Sequence, residues 1–341
     1  MLAWRRLTYV VFLCACLGTI ECEDDTKDDY GSSWLMLVDE AFNRHVLNFS
    51  DLPSRGMRFG KPDFYLYTRN NRDDPEVLFI PKDDNCLKSV YFNGSNDIRV
   101  ITHGWMSDYQ VGWVQSIKDS LLRHYDLNVM TVDWSHLAKN PLYPWSALSA
   151  KFVGKQIAKL LDSCTKTYGV GRDRMYLIGH SLGAQAMGYA GRFLDGDVHR
   201  ITGLDPARPL FELPLLPIEF RLDKSDAHYV DIIHTCAGLF GYEDSYGHAD
   251  FYPNEGTTDQ PGCPAKRELL DSCSHGRAAI YFEESIEYPS GNGFMAYRCD
   301  SWKKFKRGLC KENKTTMGYH SSSDSRGDFY LRTNSAPPYA I

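Results

Sequence analysis

The stretch MYLIGHSLGAQAMGYAGR (Met175–Arg192) places Ser181 between two glycines, directly after an apolar run. The pentad Gly179-His180-Ser181-Leu182-Gly183 fits G-x-S-x-G. A strand-like segment precedes it and a helix-forming, Ala- and Gly-rich segment follows. In that setting the serine occupies a sharp strand-to-helix turn, and the glycines remove side chains that would clash across it. The helix start adds backbone donors and a partial positive potential. A competing reading makes Ser181 no more than a helix cap in a glycine-rich turn.

Working outward, the chain alternates between two periodicities. PDFYLYT (62–68), DIRVITHGW (97–105), LNVMTVDWS (127–135), RMYLIGHS, RITGLDPA (200–207) and YVDIIHT (229–235) read as strands. Val111 to His124 carries helical spacing. So does 146–169, with Gly169 as its stop. This alternation predicts one α/β domain with a mainly parallel sheet covered by helices on both faces.

A serine hydroxyl needs a base and an orienting carboxylate to act as a nucleophile. In this context they follow in the order Ser, Asp/Glu, His. Asp205, at the end of an apolar strand and followed by Pro206, is the leading acid; Asp231 and Asp250 are its rivals. His228, His234, His248, His275 and His320 all satisfy the order. His275 stands out because it follows Cys273 by two residues, whereas His234 in DIIHT reads as a buried core histidine. THGW (102–105) ends a strand, and Gly104 permits close backbone approach. The amides of Trp105 and Leu182 are therefore the expected oxyanion-hole donors.

Composition and leader place the chain outside the cell. Arg5 and Arg6 precede an apolar run of about a dozen residues, LTYVVFLCACLG, the layout of a secretory signal peptide over residues 1–21. No other stretch approaches the ~20 apolar residues of a membrane span, so no integral span is expected. Residues 22–59 form an N-terminal lead-in, acidic and polar at 23–32, ahead of the 60–341 domain. Ten cysteines occur; two lie inside the leader, and the other eight suit four disulfides in an oxidising compartment. Sequons begin at Asn48, Asn93 and Asn313. The 38 basic and 44 acidic side chains leave a net charge of −6, which gives no support for a nucleic-acid partner.

The ordered motifs THGW, VDW, IGHSLGAQ, TGLDPA, SDAHYVDIIHT, GHADFYPN, PGC and CSHGRA together resemble the pancreatic lipase family, extracellular α/β-hydrolases that cleave lipid esters. The resemblance runs from about residue 60 to residue 320. It implies an α/β-hydrolase fold in which Ser181 is the nucleophile, Asp205 the acid and His275 the base. It also implies that Cys263 pairs with Cys273 and Cys299 with Cys310, which leaves Cys22, Cys86, Cys164 and Cys236 unassigned. The family's calcium region is similar to FRLDKSDAHYVD (220–231). Asp223, Asp226 and the Arg221 carbonyl could serve a structural calcium there, or the segment is a capped polar turn. No cofactor is required for acyl transfer by a serine triad.

Two departures from the family pattern bear on the substrate. The chain stops about 30 residues after Cys310, so the family's C-terminal β-sandwich is expected to be absent, and no colipase is expected as a partner. The loop between Cys263 and Cys273, PAKRELLDS, has nine residues, with Leu269 and Leu270 its only large apolar side chains. Such a loop reaches at most ~15–18 Å from its disulfide. Family triacylglycerol lipases carry a lid more than twice as long. The segment CAGLFGYEDSYG (236–247) also looks shortened. Both features resemble the phospholipase A1 members, which release the sn-1 acyl chain at a membrane or micelle surface. A triacylglycerol or galactolipid lipase is the alternative, and a non-catalytic yolk-type or lipid-binding relative is a third reading. SWKKFKRG (301–308) reads either as a contact for anionic lipid or sulfated polysaccharide, or as a solvated basic face over packed aromatics.

Overall fold

A computed structural model describes residues 60–81, 86–264, 272–288 and 293–341, together with the backbone of 34–38 and 44–48. The expected signal peptide, most of the lead-in, Cys22 and residues 265–271 between Cys263 and Cys273 lie outside the described residues. Within the lead-in, β1 (Trp34–Val38) and β2 (Arg44–Asn48) pair as an antiparallel ribbon, so Asn48 closes a strand.

The apolar runs form the strands their pattern predicts. The described elements continue as β3 (Asp63–Tyr67), β4 (Glu76–Leu78), β5 (Asp97–Thr102), α1 (Gly112–His124), β6 (Leu127–Asp133), α2 (Ser135–Ala138), α3 (Tyr143–Tyr168) and β7 (Met175–His180). They are followed by α4 (Leu182–Phe193), β8 (Arg200–Leu204), β9 (Tyr229–Ile233), β10 (Ala249–Pro253), α5 (Ser272–Ile286), β11 (Met295–Arg298), α6 (Trp302–Lys306), β12 (Lys314–Thr316) and β13 (Gly327–Leu331). One sheet joins eleven strands in the order β12-β11-β13-β10-β9-β8-β7-β5-β6-β3-β4. From β13 across to β6 every neighbouring pair is parallel, while the strands at both edges are antiparallel. This is the α/β-hydrolase arrangement expected from the sequence.

Alternation along the central strands builds two cores, because successive strand side chains point to opposite faces. Met175 and Leu177 of β7 face one side, packed with Val153, Ile157, Leu160 and Ala186 of α3 and α4. Tyr176 and Ile178 face the other, with Ile117 and Leu121 of α1 and Ala278 and Phe282 of α5. Helix α3 begins three residues before the sequence reading, with Pro144 in its first turn, where a missing N–H costs nothing. It stops at Gly169, whose φ of 70° is the left-handed cap conformation.

Cys263–Cys273 and Cys299–Cys310 are bridged, with Cα separations of 5.8 and 5.5 Å. The expectation of four bridges fails at Cys164. This thiol sits inside the apolar core against α3's neighbours, outside any disulfide, and burial pushes its pKa up to about 12. Cys86 is exposed and likewise outside any disulfide. In the basic run, Trp302 stacks on Phe305 at 5.1 Å and both rings pack toward Tyr330, while Lys303, Lys304 and Lys306 are exposed. That is the solvated-face arrangement, with Lys304 paired to Asp300.

Candidate active site

Ser181 lies between β7 and α4 with φ 56° and ψ −123°, a conformation that non-glycine residues rarely adopt. The turn is pinned through its backbone: Ser181 N–H donates to the Leu204 carbonyl at 3.1 Å, and its carbonyl accepts from Ala184 and Ala207. Its side chain makes no capping hydrogen bond to α4, which rules out the helix-cap reading. The hydroxyl is left available for chemistry.

Asp205 follows β8 at φ 45° and is fully buried. Its Oδ1 accepts from the backbone N–H groups of Thr235 (2.8 Å) and Cys236 (3.0 Å). Its Oδ2 accepts from His275 Nδ1 at 2.5 Å. A carboxylate only accepts, so Nδ1 carries the proton and Nε2 of His275 is left as the basic atom. His275 sits in the first turn of α5, two residues after the bridged Cys273. His180, the residue before Ser181, reaches the His275 carbonyl through Nε2 at 2.9 Å, and the two rings are 4.5 Å apart. The carboxylate and the imidazole thus meet beside the strand end that carries Ser181.

The rivals named from sequence have other duties. Asp231 forms a two-pronged pair with Arg200 (2.7 and 2.8 Å) and accepts from Thr202. Fully buried His234 bonds Asp250 at 2.8 Å and the Tyr242 carbonyl at 3.1 Å. His248 meets the Val230 N–H, His228 pairs with exposed Asp197, and His320 points to the Ile286 carbonyl.

The expected oxyanion donors flank the nucleophile. A Cβ placed on Gly104 would sit 2.8 Å from Ser181 Cβ and 3.3 Å from its Oγ, so the Gly104–Trp105 chain runs directly against the serine. Leu182 opens α4 on the other side. Trp105 is fixed by its indole N–H to the Asn140 carbonyl at 2.8 Å and by an edge-on contact with Tyr143. Gly104→Ala should therefore lower kcat on a soluble p-nitrophenyl ester by about 100-fold, the scale set by ångström-level misplacement. Unchanged turnover in the folded variant would contradict this packing.

A family model described as "Lipase" matches residues 40–339. The chain belongs to the pancreatic lipase family. Lipoprotein lipase of Mus musculus is 34% identical over 324 residues, covering 86% of this chain and 65% of that protein. Pancreatic lipase-related protein 2 of Bos taurus is 36% identical over 267 residues, 72% of this chain and 55% of that protein. A human relative named inactive pancreatic lipase-related protein 1 is 33% identical over 307 residues, 81% of this chain and 64% of that protein. The chain spans about two thirds or less of the length of these relatives.

Two of the three calcium candidates of this lipase-family chain, Asp223 and Asp226, already have partners. Asp226, fully buried, accepts from Arg192 at 2.8 Å through Oδ1 and from the Asp223 N–H at 2.9 Å through Oδ2. Asp223 accepts from the Ser225 N–H at 3.1 Å, completing a capping box. Burial raises the Asp226 carboxyl to about 7, against the pull of Arg192. These contacts are those of a capped polar turn, and the Arg192 guanidinium competes for the Asp226 carboxylate that a calcium ion would use.

Two features escaped the sequence reading. The Thr235 and Cys236 amides that hold Asp205 carry no side-chain signature at all. The run RPLFELPLLPIEF (208–220) did carry one, a leucine-rich segment without helical or strand period. It folds as an irregular connection, tied at its start by Tyr143 Oη to the Pro209 carbonyl at 3.0 Å and by Arg208 to Glu212 and Glu243, and at its end to α4 through the Ile218 and Phe220 carbonyls.

Proposed function

We propose that this protein is a secreted lipid esterase, a phospholipase A1 that releases the sn-1 acyl chain of glycerophospholipids. The observation that carries the hydrolase reading is the Asp205–His275 pair beside the strained Ser181 turn. Ser181 Oγ attacks the ester carbonyl while His275 Nε2 takes its proton. Asp205 holds the resulting imidazolium, and the Trp105 and Leu182 amides stabilise the oxyanion. The leaving lysophospholipid oxygen takes the proton from His275, and water then releases the fatty acid from the acyl-enzyme.

The lipid class is supported by the rim of the site. Met106, Leu142, Leu213, Leu215 and Leu239 are all exposed, Leu142 to 70% and Leu213 and Leu215 to 61% each. Met106 follows Trp105, Leu142 precedes Tyr143, and Leu239 precedes Phe240, whose ring lies 5.7 Å from His275. These side chains from separate loops suit insertion into a lipid surface, at about 1.5–3 kcal/mol for each one fully buried. Leu213→Ser with Leu215→Ser should cut the rate on phosphatidylcholine vesicles by about tenfold or more, from the lost apolar area, and leave hydrolysis of soluble p-nitrophenyl butyrate near wild type. Equal losses on both substrates would contradict the docking role.

Phospholipid over triacylglycerol rests on the nine residues between Cys263 and Cys273, too few to carry an apolar cover over the acyl pocket. Secretion rests on the leader, and Asn93 and Asn313 are both exposed as glycan acceptors require. Among the described residues no helix is long and apolar enough to cross a membrane. The deciding experiment is a panel of phosphatidylcholine, triolein and galactolipid with positional analysis of products. The expected outcome is free sn-1 fatty acid and 2-acyl lysophospholipid. Efficient triolein cleavage with phosphatidylcholine untouched would overturn the assignment.

A further inference from the structure

The catalytic base candidate His275 has few anchors of its own. It stands one turn into α5, and its imidazole is held on one side by Asp205. On the other side stands His180, which the hydrolytic scheme above leaves without a role. His180 ends β7, an interior strand of the sheet, hydrogen-bonded on both sides, directly before the nucleophile. Its Nε2 lies 2.9 Å from the His275 carbonyl oxygen. A carbonyl only accepts, so Nε2 of His180 carries the proton and donates it. The His180 ring lies 4.5 Å from the His275 ring, tilted by 48°, and is backed by Trp113 of α1 at 5.5 Å.

We propose that His180 is a positioning residue for the base: its hydrogen bond and ring contact lock the start of α5 against the nucleophile strand and set where His275 points. The inference rests on the reading of His275 as the base. Strand β7 then delivers both partners of the proton transfer. Ser181 comes through the chain, and His275 comes through the His180 side chain, so the two share one rigid reference. The Trp113 contact fixes the His180 rotamer from α1, on the face of the sheet where α5 also packs.

The charge state of His180 suits this task. Burial, reinforced by His275 beside it, pushes its pKa down to about 3, so it is neutral at any working pH. When His275 takes the serine proton, no second positive ring opposes it.

The test uses His180→Phe, which keeps an aromatic ring and removes the donor, and His180→Gln, which returns an N–H at similar reach. Two readouts are needed. One is kcat and KM on p-nitrophenyl butyrate. The other is the strongly deshielded proton NMR resonance of the His275 Nδ1–H bound to Asp205, which reports the pair whether or not the protein turns over ester. For H180F the expected result is a kcat lower by about 10–100-fold, KM within about twofold, and a shifted or broadened Nδ1–H signal. H180Q should recover most of the kcat and the wild-type signal. The proposal is overturned if H180F keeps wild-type kcat, or if H180Q loses as much as H180F. It is also overturned if activity falls with the Nδ1–H signal unchanged. If H180F does not fold, H180Q is compared with wild type: a kcat within about threefold and an unchanged Nδ1–H signal support the proposal, and a loss of about tenfold or more overturns it. A wild-type protein that shows the Nδ1–H signal and its H180F response but no esterase turnover would fail the proposed function and leave the positioning role standing.

Discussion

Ser181→Ala should abolish ester hydrolysis, with kcat falling by roughly 10⁶-fold, the loss typical of removing a triad nucleophile. The substitution deletes a single oxygen. The backbone bonds that hold the turn, from Ser181 N–H to Leu204 and from Ala184 and Ala207 to the Ser181 carbonyl, do not involve the side chain. The fold should therefore persist, although alanine at φ 56° keeps the same local strain. The comparison is kcat for the two proteins on a soluble ester with thermal melting alongside. Substantial residual turnover would remove Ser181 from the mechanism.

Asp205→Asn should lower kcat by roughly 10⁴-fold through a change of tautomer. The side-chain oxygen facing Thr235 N–H and Cys236 N–H must remain an acceptor, so an asparagine places its carbonyl oxygen there and turns its NH₂ toward His275. His275 Nδ1 then has to accept, the ring proton moves to Nε2, and no basic nitrogen faces the serine. Asparagine tolerates a φ of 45° well, so the backbone should not be the cause of the loss. Activity within tenfold of wild type would show that the Asp205–His275 contact does not set the tautomer.

The sequence carried the frame of this fold because the buried strands are short continuous apolar runs and the helices have a clear stripe. Ile98, Val100 and Ile101 in β5 or Leu177 and Ile178 in β7 have no exposed alternative. The missed elements lack that contrast. ADFYP of β10 and GDFYL of β13 mix acids, proline and glycine with aromatics, and they form strands because they extend an existing sheet. Helix α5 opens with SCSHGR, a poor helix-forming sequence. Packing of Ala278, Ala279, Phe282 and Ile286 against the sheet makes it helical.

The site was legible to unequal depth. Ser181 announced itself through its turn, and Asp205 through the strand end before Pro206. Chain order left five histidines; the nearby Cys273 made His275 stand out, and the ordered family motifs then assigned it as the base. The interactions that finish the site are invisible to pattern, because the Thr235 and Cys236 amides act through backbone that any residue would supply. His180 was visible only as the variable position of G-x-S-x-G. Its contact with His275 spans 95 residues and exists only in the folded chain.

The central claim is that Ser181 is the activated nucleophile of a lipid esterase, and covalent capture tests it most directly. The wild-type protein, incubated with an alkyl fluorophosphonate, digested and sequenced by mass spectrometry, should carry one stoichiometric adduct on Ser181. Vesicles of phosphatidylcholine should slow its formation by competing for the site. The absence of an adduct, or an adduct on a different serine, would contradict the account.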